Sequence, residues 1–188
     1  MLLERQLERL RECGIALSDG VSVDDLLNAW PRDRYYETEP FRLLITWLGA
    51  EIDREPWVFS PHVLTFDCEC IDNGESYVSL IDDICDLASA KDYITEVSAS
   101  IDFENDVGRI TCKIDGKQHK WDVEIRRDWA DTIALAKIMA KIKRNGKHFY
   151  KIDDDGQGLT LLYLNHSDAT TLAELSNQTM TPMAKFAG

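Results

Sequence analysis

The carboxylates that follow the first long apolar run are the side chains whose types and spacing come closest to a chemical site. Asp67, Glu69 and Asp72 lie within six residues of one another. Carboxylates this close can hold a divalent cation or act as general acids and bases. No nearby histidine or lysine completes such a site, and acids are ordinary on the solvent face of a strand. We therefore favour a solvated role for them over catalysis or metal binding.

The cysteines are the second set of reactive side chains. There are five of them, at Cys13, Cys68, Cys70, Cys85 and Cys112. On a strand, the C-x-C pair would point both thiols to the same face, but the four histidines are single and far apart, so the spacing of a zinc site is missing. An odd number of cysteines in apolar segments is typical of buried thiols in a reducing compartment. We predict that they pack in the core and bind no metal.

The sequence lacks the motifs of several common catalytic and cofactor sites. It contains no G-x-x-x-x-G-K-[ST], no G-x-G-x-x-G, no G-x-S-x-G and no H-E-x-x-H. The acidic run 153–156 resembles part of a calcium loop, but that alignment would put Lys151 at the first ligand position and Leu162 at the last. A polar hairpin turn is the favoured interpretation. We predict a chain without enzymatic activity and without a cofactor.

The charge of the chain is large and unevenly distributed. The net charge is −13, from 34 acidic and 21 basic side chains. Residues 65–106 hold twelve acids and one base, a balance of −11, whereas residues 107–151 hold twelve bases and five acids, a balance of +7. An acidic protein is repelled by nucleic acid and by anionic membranes, and it associates faster with a basic partner. The charge therefore favours a protein partner and argues against direct binding of nucleic acid or membranes.

The acids of this segment are the candidate partner-binding residues. The alternative is that they only keep the surface soluble, which is a common use of acidic side chains. The predicted docking face is formed by the following residues: Asp67, Glu69, Asp72, Glu75, Asp82, Asp83 and Asp86.

Several aromatic residues near the end of the N-terminal third have two possible uses. Tyr35, Tyr36, Phe41, Trp57 and Phe59 could form an exposed anchor for a partner or pack in the core. Core packing is the favoured interpretation, because aromatic side chains dominate protein interiors as well as interfaces.

Hydrophobic periodicity and turn residues predict helices and strands that cluster along the chain and do not strictly alternate. In chain order the predicted elements are helices over 1–13, 22–30 and 39–48, a strand over 63–71, a helix over 75–90, strands over 93–103, 109–114 and 117–125, a helix over 128–145, strands over 148–152 and 159–164, and a helix capped by Ser167. Asp115-Gly116 is a typical two-residue hairpin turn.

This order predicts an α+β fold with a mostly antiparallel sheet, a helical N-terminal section and packing helices. At 188 residues the chain fits a single domain, with a helical part over 1–50, a mixed part over 60–178 and a loose tail over 179–188. The first residues do not read as a signal peptide, and no stretch approaches the roughly 18 apolar residues of a membrane span. We expect a cytoplasmic protein.

Several segments together resemble a known group of proteins. They read RYYE at 34–37, PFRLL at 40–44, FDCECI at 66–71, YV at 77–78, DG at 115–116 and DWAD at 128–131. In this combination the chain resembles acidic bacterial immunity proteins, which neutralise toxins delivered between bacteria. The resemblance implies a stoichiometric inhibitor that docks on a toxin with a basic surface and blocks its active site. An acidic adaptor or nucleic-acid mimic is the alternative, followed by a small metal-dependent enzyme.

Overall fold

The computed structural model describes residues 1–31, 36–152 and 157–188. Its elements are α1 (Leu3–Glu12), α2 (Val23–Ala29), α3 (Arg42–Leu48), β1 (Val63–Asp67), α4 (Gly74–Leu87), β2 (Ile94–Asp102), β3 (Val107–Ile114), β4 (Lys117–Val123), α5 (Thr132–Met139), β5 (His148–Ile152), β6 (Gly158–Leu164), α6 (His166–Ser176), β7 (Met180–Pro182) and a 3-10 helix (Met183–Phe186). The predicted α+β class is confirmed. The predicted turn at 153–156, and residues 34 and 35 of the segments above, lie outside the described residues.

Side-chain caps explain where two of the helices begin. Ser22 and Asp25 form a reciprocal capping box at the start of α2, which their spacing predicted. At α6 the cap is Asn165, whose Oδ1 accepts the backbone N–H of Asp168 at 2.9 Å. The predicted cap, Ser167, lies instead inside the first turn of the helix.

The strands form two separate antiparallel sheets, where the sequence had indicated one. The larger sheet has the order β1-β6-β5-β7, and the smaller sheet has the order β2-β3-β4. The smaller one is the predicted meander, and its second turn uses Asp115 and Gly116 with φ values of 50° and 72°. Positive φ at both positions matches a type I′ hairpin turn.

The larger sheet separates two hydrophobic cores. On one face, Tyr150 and Leu162 pack among the side chains of α1, α2, α3 and α6. On the other face, Leu161 and Tyr163 join a second core built from α4, α5 and the inner face of the smaller sheet. The central strand β6 therefore has both faces buried, which explains its nearly continuous apolar sequence.

Helix α4 lies in the second core and presents its other side to solvent. Tyr77, Ile81 and Ile84 are at most 1% exposed. The helix packs tightly on the smaller sheet at its first residue, where the backbone of Gly74 meets the backbone of Ala99. The apolar stripe and this close approach together fix which face of α4 is left in water.

Helix α5 begins at Thr132, so the predicted start at Asp128 was wrong. Asp131 Oδ1 accepts the backbone N–H groups of Ile133 at 2.9 Å and Ala134 at 3.0 Å, which caps the helix at this position. The helix has eight residues and is shorter than predicted. Before the cap, Trp129 forms isolated antiparallel bridges with Glu69 and Arg126 instead.

The chain after residue 178 is also ordered differently from the prediction. Met180 to Pro182 form β7, which pairs with β5 in the larger sheet. Met183 follows and is only 2% exposed in the second core. The prediction of a loose tail was therefore wrong, because the sequence of β7 is too short to show a strand period.

Most of the aromatic residues and cysteines pack in the cores as predicted. Tyr36, Phe41 and Phe59 are buried, whereas Trp57 is 59% exposed. Tyr35 lies outside the described residues. All five cysteines are free thiols, four of them buried. Burial raises the pKa of Cys85 to about 12, so this thiol stays protonated and unreactive. Within the described residues, no helix combines the length and the apolar character that a bilayer crossing requires.

A substitution at Gly74 tests the contact that orients α4. A Cβ atom at this position would overlap the backbone carbonyl of Ala99, which cannot rotate away. We expect Gly74→Ala to lower the free energy of unfolding by about 1–3 kcal/mol, measured by urea denaturation. The control is Ser79→Ala on the exposed side of the same helix, which should be neutral or slightly stabilising. Equal stability of both variants would contradict the proposed contact.

Candidate partner-binding face

The exposed side of α4 carries four of the seven predicted acids. Glu75, Asp82 and Asp86 are seven and four residues apart, which places them within about 40° of one another around the helix at 100° per residue. They form one stripe about 16 Å long, at 1.5 Å per residue. Asp83 lies to one side of this stripe, toward Glu51. All four acids of α4 are exposed.

Of the other three predicted acids, Asp67 is the last residue of β1, and Glu69 and Asp72 lie in the loop before α4; all three are exposed as well. Asp67 Oδ1 accepts the backbone N–H of Glu69 at 2.8 Å, which tightens the loop. Glu69 accepts a hydrogen bond from the side-chain amide of Gln157. The backbone N–H of Asp72 donates a hydrogen bond to Ser76 Oγ at 3.2 Å, which fixes the end of the loop to α4. We call Asp67, Glu69 and Asp72 the loop group and the four acids of α4 the helix group; all seven are exposed.

One lysine partly neutralises the helix group. Lys91 Nζ lies 2.8 Å from a carboxylate oxygen of Asp82 and 2.8 Å from one of Asp86. The hydrogen bonds that the ammonium group of Lys91 donates to these two carboxylates raise the pKa of Lys91. Asp83 receives no such partner among the described residues. Desolvation, and then the charges of Asp82 and Asp86, raise the pKa of Asp83 above its ordinary value.

Two acids elsewhere in the acidic segment, Asp92 and Glu96, pair with bases of the basic segment. Asp92 binds Arg144 with a shortest N–O distance of 2.6 Å. Glu96 binds Lys113 at 2.5 Å. These pairs cancel part of the charge imbalance seen along the sequence. Within the described residues, the acids left without an ion pair include Asp67, Asp72, Glu75 and Asp83.

Two exposed apolar residues lie beside the loop group. Trp129 is 38% exposed and Ile133 is 46% exposed. Trp129 forms an antiparallel bridge with Glu69, and the neighbouring backbone of Ile71 donates to the carbonyl of Asp128 at 2.8 Å. Arg126 also forms a bridge with Trp129 and lines the hollow beside it. We call the seven acids together with Trp129 and Ile133 the docking face.

Sequence reasoning missed both apolar residues of the docking face. It placed Trp129 and Ile133 among the apolar residues of a helix that started at Asp128. The residue that carried the correct signal is Asp131, which is a preferred helix N-cap. A helix that starts after Asp131 leaves Trp129 outside it and turns Ile133 away from the buried positions Ala134 and Leu135.

The docking face presents charged and apolar surface beside a small hollow. Among the described residues, no three histidine, cysteine, aspartate or glutamate side chains converge as a metal site would require. The hollow lined by Trp129, Asp131 and Ile133 has a volume of about 60 Å³, well below the roughly 300 Å³ of a small-molecule pocket. The surface is suited to contact with another macromolecule.

Comparisons with known proteins add no assignment to this geometry. No family model, no curated protein and no solved structure matches the chain. The candidate site therefore rests on the residues of this protein alone.

A pH-dependent stability measurement tests the crowding of carboxylates around Asp83. Because folding raises the pKa of this carboxyl, its ionised form disfavours the folded state, and the penalty grows as the pH rises through the folded pKa. We expect Asp83→Asn to raise the melting temperature at pH 7. The gain should vanish near about pH 3.5, where the aspartate is largely protonated in both states.

The matched control for this prediction is Asp86→Asn, which removes an ion pair with Lys91 and should give no gain at pH 7. Melting curves followed by circular dichroism at both pH values provide the measurement. A gain at Asp83→Asn that persists at low pH would show that the ionised form of the Asp83 carboxyl is not its cause.

Proposed function

We propose that this protein is a non-catalytic inhibitor that binds a protein toxin through the docking face, and that it acts in the cytoplasm as an immunity protein. The observation that carries the proposal is a surface with exposed carboxylates in and near the loop before α4 and along α4, with Trp129 exposed next to Glu69 of that loop. The toxin would present a basic surface to these acids. No cofactor takes part in the proposed function.

The anatomy of the docking face supports a role in protein association. Interfaces between proteins usually have an apolar core with a polar rim, and tryptophan is enriched among the residues that contribute most to affinity. Acids at the rim increase the rate of encounter with a basic partner by about 10 to 1000 fold at low salt. An inhibitor that must capture a toxin before it acts gains directly from a high association rate.

The alternatives receive less support from the same residues. A nucleic-acid mimic needs a regular row of uncompensated negative charges, but Lys91 lies between Asp82 and Asp86 and pairs with both. A metal-dependent enzyme needs carboxylates that converge on one point, whereas the acids of α4 are spread along a helix surface. The proposal of a docking inhibitor fits both observations.

The experiment that tests the function is capture followed by inhibition. The immobilised protein is exposed to a lysate of its source cells, and bound proteins are identified by mass spectrometry at low and at high salt. Each captured protein is then purified, and its toxic activity is measured with and without an equimolar amount of this chain. Loss of activity at a 1:1 ratio supports the proposal; a partner whose activity is unaffected overturns it.

Charge reversal on the docking face tests how the partner is recognised. We expect the triple variant Asp72→Lys, Glu75→Lys and Asp83→Lys to weaken binding of the captured toxin by at least about tenfold at low salt. The association rate should fall most, because attraction over long range is lost. Biolayer interferometry at several salt concentrations measures both effects.

The matched control reverses three exposed acids away from the docking face, Asp19, Glu104 and Glu174, and so changes the net charge by the same amount. It should retain most of the affinity, since the local field at the docking face is intact. If both triple variants lose affinity equally, net charge and not the docking face governs binding.

Truncation of Trp129 tests the apolar centre of the docking face. We expect Trp129→Ala to weaken binding by about 2 kcal/mol, or roughly 30 fold, through faster dissociation. Because Trp129 is partly exposed, the free energy of unfolding should change much less. Phe103→Ala is the control, since Phe103 is exposed to a similar degree, 41%, and lies in the turn between β2 and β3, which is not part of the docking face. Unchanged binding by Trp129→Ala would remove this residue from the interface.

A further inference from the structure

A second concave surface lies between the ends of α2 and α3 and the loop that follows α3. It is a groove of about 500 Å³, within the range of sites that accept a few side chains or a small ligand. Trp30 and Trp47 form one wall, with ring centroids 4.1 Å apart and planes tilted by 32°. Phe59, which is 4% exposed, contributes to the apolar lining.

Carboxylates surround this aromatic wall. Asp25, Glu51 and Asp53 line the groove, and Arg54 is the only base among the described residues that line it. Arg54 is already engaged, because its guanidinium lies 2.8 Å from a carboxylate oxygen of Asp25 and donates to the backbone carbonyl of Gly20 at 3.2 Å. The groove therefore keeps an excess of negative charge.

The same arginine holds the shape of the groove. By bridging the loop after α3 to the start of α2, Arg54 fixes the two walls relative to each other. Hydrogen bonds from Arg54 and Ser22 lower the pKa of Asp25 to about 2, so this carboxylate is charged at any physiological pH. A site that is formed in advance loses little conformational entropy when it binds.

The groove is connected to the acids of α4. Glu51 lies close enough to Asp83 for its charge to contribute to the raised pKa of that carboxyl. Negative potential therefore extends from the groove across Glu51 to the stripe on α4. A partner with a basic surface that approaches the docking face would meet the groove at its edge.

We infer that this groove receives an arginine-bearing basic segment of the protein partner, with the guanidinium against the indole rings of Trp30 or Trp47 and between the carboxylates of Glu51 and Asp53. The inference rests on the proposed function and names the chemistry that the partner brings. Guanidinium groups stack on indole faces and bind carboxylates in a fork-like geometry. A second copy of this chain is a poor occupant, because it would bring a further charge of −13.

The test uses the full chain and a short probe. A blocked tetra-arginine peptide is titrated into nitrogen-15-labelled protein at low salt, and the indole N–H signals of the five tryptophans are followed by NMR. We expect saturable shifts of the Trp30 and Trp47 signals. The uncharged tetra-citrulline peptide, which has nearly the same shape, should give none.

A variant pair separates the groove from general attraction. Glu51→Gln with Asp53→Asn removes two charges from the groove and should weaken peptide binding by at least about tenfold, since charged partners are lost. Glu104→Gln with Glu174→Gln removes two charges elsewhere and should have little effect. Equal weakening by both pairs would overturn the inference.

The outcomes also distinguish this inference from the proposed function. Shifts confined to the backbone of α4 and the loop before it would overturn the groove as a site while leaving the docking face intact. Broadening of the Trp30 and Trp47 signals with protein concentration, in the absence of peptide, would show that a second copy fills the groove, and would overturn the inference as well. Failure of the toxin inhibition assay would remove the proposed function independently of these signals.

Discussion

The burial of strand β6 on both faces is the constraint on which the rest of the structure depends. Leu161 and Tyr163 need one apolar layer, and Leu162 and Leu164 need another on the opposite side. The N-terminal helices with α6 supply one layer, and α4, α5 and the smaller sheet supply the other. The hydroxyls of Thr65 and Thr160, which lie 3.1 Å apart, satisfy each other between β1 and β6, as buried polar groups must. Without either layer, the central strand would expose a continuous apolar surface.

This arrangement explains why the acids of α4 are available for binding. The helix buries Tyr77, Ile81 and Ile84 to complete the second core. Its remaining face is therefore exposed to solvent. The hydroxyl of Tyr77 also accepts the backbone N–H of Asp131 at 2.8 Å, which ties the start of α5 to α4. That contact brings the segment with Trp129 beside the acidic loop. The docking face is thus a consequence of core packing at two helix ends, and its negative charge disfavours folding at Asp83, where desolvation raises the pKa of the carboxyl.

Much of the fold could be predicted because it depends on short-range patterns. The capping box at Ser22 fixes the start of α2, and the Asp115-Gly116 turn fixes the pairing of β3 with β4. The predictions failed where the local hydrophobic pattern is misleading or absent. Where apolar residues continue across an element boundary, as before α5, periodicity alone extends the helix, and only the cap at Asp131 shows where it begins. The short strand β7 depends on pairing with β5 and carries no period of its own.

The sequence by itself determined the fold class, the order of the main elements and the exposure of the seven acids, because these follow from composition and from periods of a few residues. Only the tertiary structure decided which acids remain unpaired. Asp92 and Glu96 are neutralised by Arg144 and Lys113, and for Asp92 that partner lies 52 residues away in the sequence. The tertiary structure also placed Trp129 at the surface and formed the groove at Trp30 and Trp47. Contacts between distant segments set these features, and no local pattern encodes them.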